Sequence, residues 1–181
     1  MYKVVALMGK AGAGKDTVKK EILNLTGDRY NNIISCTTRP MRENEVNGVD
    51  YYFMNKQTFL SKKMFEVSEF RNWYYGISEE SLSKDKINIG VFNPDGVRTF
   101  YGLWEVDLLI VYIDANDKIR LIRQLNREEY PDVKEIIRRF TTDEEDFSNL
   151  NFDYFTVYNN EHRSITNLAG EIIDIVEGHK W

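Results

Sequence analysis

Near the N-terminus, Gly9-Lys10-Ala11-Gly12-Ala13-Gly14-Lys15-Asp16-Thr17 carries the spacing G-x-x-x-x-G-K. Small side chains let successive backbone N–H groups turn inward and cradle phosphate oxygens without clashes. The positive end of a following helix strengthens that field. Lys15 adds a full charge suited to the β- and γ-phosphates of a nucleoside triphosphate. Spacing alone also fits an ordinary glycine-rich turn between a strand and a helix. The setting favours phosphate: an apolar run, Lys3–Met8, stands before the loop, and Val18, Ile22, Leu23 and Leu25 follow at helical intervals.

The residue after Lys15 is Asp16, where this motif uses Ser or Thr to hold Mg²⁺. Asp16 either takes Mg²⁺ directly or through water, or serves only as a helix N-terminal acid worth roughly 0.3–1 kcal/mol. Thr17 is the other candidate for the metal or for an ATP phosphate.

A second constellation lies in Ser35-Cys36-Thr37-Thr38-Arg39-Pro40-Met41-Arg42. Arg39 and Arg42, three apart in a polar loop, can grip one phosphate with planar donor forks. The phenols of Tyr51 and Tyr75 and the hydroxyl of Ser35 can donate to the same anion. Taken singly, the arginines also read as a solvated pair and the tyrosines as core aromatics.

With Glu45-Val46-Asn47-Gly48-Val49-Asp50-Tyr51-Tyr52-Phe53, Glu66 and Trp73-Tyr74-Tyr75-Gly76, the string resembles guanylate kinases. The likeness is strong from the phosphate loop to about Gly76 and weaker towards the C-terminus. It implies transfer of the ATP γ-phosphate to a nucleoside monophosphate, GMP or dGMP, with Mg²⁺ accompanying ATP on Gly9–Thr17. The resemblance gives Glu66 the task of accepting from the guanine N1–H and amine. Where the family carries a guanine-binding aspartate this chain has Val91, with Asn93 at a second acidic position and Ile77 in place of a Ser or Thr. Arg123, Arg127 and Arg139 match the family's lid arginines, which close over ATP and neutralise the transferring phosphoryl group. Arg123 and Arg127, four apart, would share one helical face; salt bridges to Glu128, Glu129 and Glu135 are the plainer reading, and the one adopted for Arg120 and Arg138. Asn159 matches an asparagine near the adenine site or caps a turn. The acidic run Asp143–Asp146 reads as a solvated helix face, and Cys36 as a small buried hydrophobe.

Positioning these residues takes alternating strands and helices. Strands are expected at Lys3–Met8, Ile33–Cys36, Tyr51–Met54, Ile87–Phe92, Val106–Ile113 and Phe155–Tyr158. Helices are expected from Asp16 to Gly27, around Gln57–Lys62, after Asn93-Pro94, over Asn116–Arg127, from Pro131, and over Arg163–Val176. The pattern implies an α/β fold, a three-layer core with a parallel sheet covered on both faces. Within one guanylate-kinase-like domain, the core would comprise residues 1–35, 87–119 and 146–181. An inserted lobe for the monophosphate would span about 36–86, and a lid about 120–145.

Bulk properties exclude other classes. The 181 residues suit one domain, with 42% hydrophobic and 13% aromatic residues to fill a core. A formal charge of −5 argues against a nucleic-acid polymer or an acidic membrane as partner. One cysteine and two C-terminal histidines argue against disulfides and a metal centre built from those residues. No apolar run reaches membrane-spanning length. The expectation is a cytoplasmic monomer or homodimer acting on small nucleotides. Rivals are a same-fold kinase for another acceptor, such as another deoxynucleotide or a ribose bisphosphate, and a non-catalytic phosphopeptide-binding module.

Overall fold

The computed structural model describes the chain from Met1 to Trp181 apart from residues 44, 71 and 128. Five parallel strands form the central sheet: β1 (Tyr2–Met8), β2 (Tyr30–Asn32), β7 (Ile87–Val91), β8 (Val106–Asp114) and β9 (Phe155–Tyr158), in the order β2-β7-β1-β8-β9. Four strands, β3 (Cys36–Thr37), β4 (Tyr52–Phe53), β5 (Met64–Phe70) and β6 (Trp73–Ser78), form a smaller sheet in the order β4-β3-β6-β5. The helices are α1 (Lys15–Thr26), α2 (Lys56–Ser61), α3 (Pro94–Tyr101), α4 (Asp117–Leu125), α5 (Val133–Asp146) and α6 (Ile165–Gly178).

Strand β1 is covered on both faces, so its sequence is almost continuously apolar. Its alternate side chains enter separate cores. Val5 and Leu7 pack with Val18 and Ile22 of α1 and with Leu168 and Ile172 of α6. Val4, Ala6 and Met8 pack with Val97 and Phe100 of α3 and with Phe65. This is the expected three-layer α/β arrangement. From β1 the chain crosses to the sheet edge at β2, later returns to flank β1 as β7, and then continues on the other side as β8. The loop after β1 thus opens where the strand order reverses, the usual ligand-binding place in parallel α/β sheets.

Several boundaries depart from the pattern-based expectation. A strand over Ile33–Cys36 does not form. The chain leaves the large sheet at Asn32 and joins the small one at Cys36, so Ile33–Ser35 passes between two sheets. The aromatic stretch after Met64 is a hairpin whose turn includes Asn72 at φ 65°, a left-handed conformation that asparagine tolerates. Helix α4 stops at Leu125, leaving Arg127 beyond its end rather than on one helical face with Arg123. Pro131 does not open α5; Asp132 caps it, accepting from the Glu135 N–H at 3.1 Å. Asn93 and Pro94 do start α3 as expected, and Asn116 and Ser164 cap α4 and α6.

Candidate active site

The phosphate loop joins β1 to α1 and is braced from outside. Gly12 and Gly14 sit at φ 81° and 95°. A Cβ on Gly12 would stand 2.6 Å from the Arg120 carbonyl oxygen, and one on Gly14 would stand 2.5 Å from Asn159 Nδ2. Neither position has room for a side chain. The loop's carbonyls are bound by side-chain donors. Lys15 Nζ donates to the Gly9 and Lys10 oxygens at 2.6 and 3.2 Å, and Arg120 Nε donates to Ala11 at 3.0 Å. Asn159 Nδ2 donates to the Ala13 oxygen at 2.7 Å, so this asparagine serves the loop rather than a turn. These bonds fix the peptide planes before any ligand arrives. Burial pushes the Lys15 ammonium pKa down, partly offset by Asp16 and Asp143.

Two clefts meet at the loop. The larger, about 600 Å³, is lined by Gly12, Gly14, Asp16, Thr17, Arg127 and Arg139 among others. Its size suits a nucleoside triphosphate. The smaller, about 350 Å³, is lined by Ser35, Tyr51, Glu66, Ser68 and Tyr75, with Ile77, Val91 and Phe92 supplying apolar wall. Ala11 and Lys15 line both. Of the nine loop residues singled out from the sequence, Lys10 is held by Glu144, and Ala13 is buried under the loop.

In the smaller cleft, burial raises the Glu66 carboxyl pKa, moderated by a hydrogen bond from Ser68 and reinforced by Asp95. Asn93 reaches the same cleft, but its Oδ1 is occupied in capping α3, accepting from the Gly96 N–H at 2.7 Å. Tyr51 and Tyr75 meet edge to face, with ring centroids 6.0 Å apart. The Arg39 guanidinium lies 5.7 Å from the Tyr51 ring centroid. It is also held by both oxygens of Glu45, at 2.6 and 2.9 Å, which raises its pKa and lowers that of Glu45. Neither Arg39 nor Arg42 lines either cleft; the Arg42 backbone N–H donates to Glu45 at 2.8 Å while its side chain is exposed.

Arg123, Arg127 and Arg139, the arginines expected in a lid, all line the larger cleft but are held differently. Arg123 is bonded to the Asn159 backbone and side-chain oxygens at 3.2 and 3.3 Å and lies 3.4 Å from the Gly12 and Ala13 oxygens. It buttresses the loop. Arg127 and Arg139 face the larger cleft from beyond α4 and from α5, and Arg139 also pairs with Glu135 at 3.0 Å. Glu135 additionally pairs with Arg138, as the salt-bridge reading expected, while Glu128 lies outside the described residues.

The acidic run at the end of α5 is not simply a solvated face. Asp143 accepts from the Ala11 N–H at 2.6 Å, and Glu144 pairs with Lys10. No local pattern announces a contact between residues 132 apart, and a single sequence carries no signal for it. Cys36 is buried, and burial raises its thiol pKa, in keeping with a structural role.

Asp16 and Thr17 stand exposed on the first turn of α1, offering a carboxylate and a hydroxyl at the larger cleft. Among the described residues, no group of three or more His, Cys, Asp or Glu side chains is arranged to hold a metal. Such hard oxygen donors, few in number, fit Mg²⁺ arriving with nucleotide phosphates rather than a resident ion.

The family model for guanylate kinase matches residues 1–174. The chain belongs to the guanylate kinase family. The guanylate kinase of Wigglesworthia glossinidia brevipalpis is 30% identical over 177 residues, covering 93% of this chain and 85% of the relative. That of Helicobacter hepaticus is 29% identical over 166 residues, covering 85% and 81%. The crystal structure of guanylate kinase from Anaplasma phagocytophilum aligns with a TM-score of 0.63 at 18% identity, covering 97% of this chain and 85% of that one, a likeness of fold. As in other members of the guanylate kinase family, the expectation from the sequence is an enzyme moving phosphate between nucleotides.

Proposed function

We propose that this guanylate kinase family member transfers the γ-phosphate of ATP to GMP, yielding ADP and GDP. One observation carries the reading: Ala11 and Lys15 line both clefts, so a donor and an acceptor seated in them would meet over the phosphate loop. An oxygen of the acceptor phosphate attacks the γ-phosphorus, a new P–O bond forms, and the bond to the ADP bridging oxygen breaks. Because a phosphate monoester is largely dianionic near pH 7, with its second pKa at about 6, no general base is needed. Catalysis then consists of alignment and charge stabilisation.

In this reading Gly9–Thr17 hold the ATP phosphates, with Lys15 neutralising the transferring group. Arg127 and Arg139 supply further cations from a lid of about 120–145, and Arg123 sets the loop. Ser35, Arg39, Tyr51 and Tyr75 take the acceptor phosphate, assisted by Arg42 once the lobe of about 36–86 closes. Glu66 reads the base. Mg²⁺ held near Asp16 and Thr17 would neutralise phosphate charge. Substrates of this kind belong to the cytoplasm.

A coupled ADP-release assay with ATP·Mg²⁺ tests the proposal on GMP, dGMP, AMP, dAMP, CMP, dCMP, UMP, dTMP and ribose bisphosphate. Turnover on GMP and dGMP above the rest is expected. The apolar wall of Ile77 and Val91 favours one second reading, a rebuilt base pocket, and turnover led by another nucleotide would establish it. ATP binding without turnover on any acceptor would point to a binding module instead.

A further inference from the structure

Among the described residues Arg120 is the largest fully buried side chain, with only 1% of it exposed, and it joins three parts of the molecule. Nε donates to the Ala11 carbonyl at 3.0 Å; Nη1 pairs with Asp117 at 2.6 Å; Nη2 pairs with Asp143 at 2.9 Å. The Phe140 ring centroid lies 4.5 Å from the guanidinium carbon. Asp143 Oδ2 in turn accepts from the Ala11 N–H at 2.6 Å. Both backbone groups of Ala11 therefore end on one ion pair, the carbonyl on the arginine and the amide on the aspartate. The next residue, Gly12, lies against the Arg120 backbone itself.

We infer that Arg120 and Asp143 are positioning residues for phosphoryl transfer, holding the Ala11 peptides so that the phosphate loop is already shaped for ATP. The inference rests on the reading of that loop as the donor site. Glycines at positive φ make the loop conformationally expensive to order, and ordering it in advance removes that cost from ligand binding. Bonds with one ionised partner are about twice as strong as neutral ones, which suits them to the task. The pair stays in place when nucleotide binds, since separating it would leave a buried charge without its partner. Asp143 also lies one helical turn beyond Arg139, so the brace anchors the end of α5 while Arg139 faces the donor cleft.

The test is calorimetric binding of ATP·Mg²⁺ and of GMP, together with thermal unfolding, for the whole chain. The variants are Arg120→Met/Asp143→Leu, Asp143→Ala and Asp143→Asn. Replacing both members of a buried pair by apolar groups of similar volume is often neutral for stability, so the double variant should unfold within a few degrees of wild type. Its Kd for ATP should rise about tenfold or more, in line with the loss of two loop hydrogen bonds. Asp143 also lines the acceptor cleft, where its carboxylate opposes an anionic acceptor phosphate, so the Kd for GMP should stay level or fall, a split that a merely structural role would not produce. Unchanged ATP affinity in a folded double variant overturns the inference. So does a parallel loss of ATP and GMP binding that tracks a lowered melting temperature. If the double variant does not fold, the single substitutions decide. Asp143→Asn keeps an acceptor for the Ala11 N–H and should bind ATP more tightly than Asp143→Ala; equal affinities overturn the inference. Wild type that binds no ATP at all removes the donor-site reading itself, an outcome distinct from these.

Discussion

Glu66 stands directly opposite Ile77 across the β5–β6 hairpin, and both line the acceptor cleft. The carboxylate proposed to read guanine N1–H and the exocyclic amine is therefore backed by a side chain that can donate nothing to the O6 and N7 acceptors. Val91 continues that apolar wall, and the Asn93 oxygen is taken by the α3 cap. In the proposed function, base recognition therefore rests on Glu66.

Replacing Glu66 by Gln should cut kcat/KM for GMP about 10²-fold or more, because an amide presents one acceptor where guanine offers two donors and its NH₂ opposes the other. KM for ATP should not move. Since burial raises the Glu66 pKa, GMP affinity should fall as pH drops through that raised value, while ATP affinity stays level. Stability runs the other way. A raised folded-state pKa means the contribution of this group is favourable below its unfolded pKa and is lost as pH rises through the folded one. Glu66→Gln should thus be at least as stable as wild type at neutral pH. A kcat/KM profile for GMP and a melting curve, each taken across acidic to neutral pH, check both halves.

Arg39 and Glu45 form a two-pronged pair whose side chains are only 12% and 17% exposed. The guanidinium is preset in direction by Glu45 and by the Tyr51 and Phe53 rings. Arg39→Ala should raise KM for the acceptor about 10–100-fold with little change in KM for ATP. Arg39→Lys should recover little of this, since an ammonium cannot reproduce a planar fork. Steady-state kinetics with each substrate varied in turn distinguish an acceptor-side loss from a general one. Equal changes in both KM values would remove Arg39 from the acceptor site.

Arg123 and Arg139 are alike as motif residues and differ in how they are held. Both line the larger cleft, but Arg123, whose pKa burial lowers, is bonded to Asn159 and approaches the loop carbonyls, whereas the Arg139 side chain is 50% exposed and pairs with Glu135. Arg123→Ala should weaken ATP binding and lower the melting temperature together. Arg139→Ala should leave both nearly intact and lower kcat by about 10³-fold, as for an arginine that meets only the transition-state charge. Calorimetry on the two variants followed by single-turnover rates reads the difference.

What the sequence could announce was local. The phosphate loop is legible because nine consecutive residues carry it, and β1 and β8 because strands buried on both faces are apolar without alternation. The caps Asn93 and Ser164 declare their helices by residue type. The hairpin turn near Asn72 and the hand-over between sheets at Ile33–Ser35 are set by which sheet edge is vacant, a matter of topology. The Arg120–Asp143 brace and the Arg123–Asn159 contact join distant parts of the chain, and an arginine reads the same whether it faces phosphate or a carbonyl. Asp143–Asp146 looked like a solvated face because charge alone does not show that one member turns inward.

In the proposed function Asp16 and Thr17 are the two candidates for the metal side. Asp16 sits on the first turn of α1 at the donor cleft, exposed, directly after Lys15 and before Thr17. A carboxylate there can hold Mg²⁺ or one of its waters, and it also complements the helix dipole. The two roles separate by measurement, because Asn keeps the size, loses the charge, and remains a weak oxygen donor. Asp16→Asn should raise the Mg²⁺ concentration for half-maximal rate by about tenfold, the low end of what a lost metal-side contact costs. Its melting temperature should drop little, since an exposed helix-terminal charge contributes roughly 0.3–1 kcal/mol. Thr17→Val should then leave the Mg²⁺ requirement close to wild type. If the titration instead moves only for Thr17→Val, and Asp16→Asn merely lowers stability, the hydroxyl is the metal-side group and Asp16 acts on the helix.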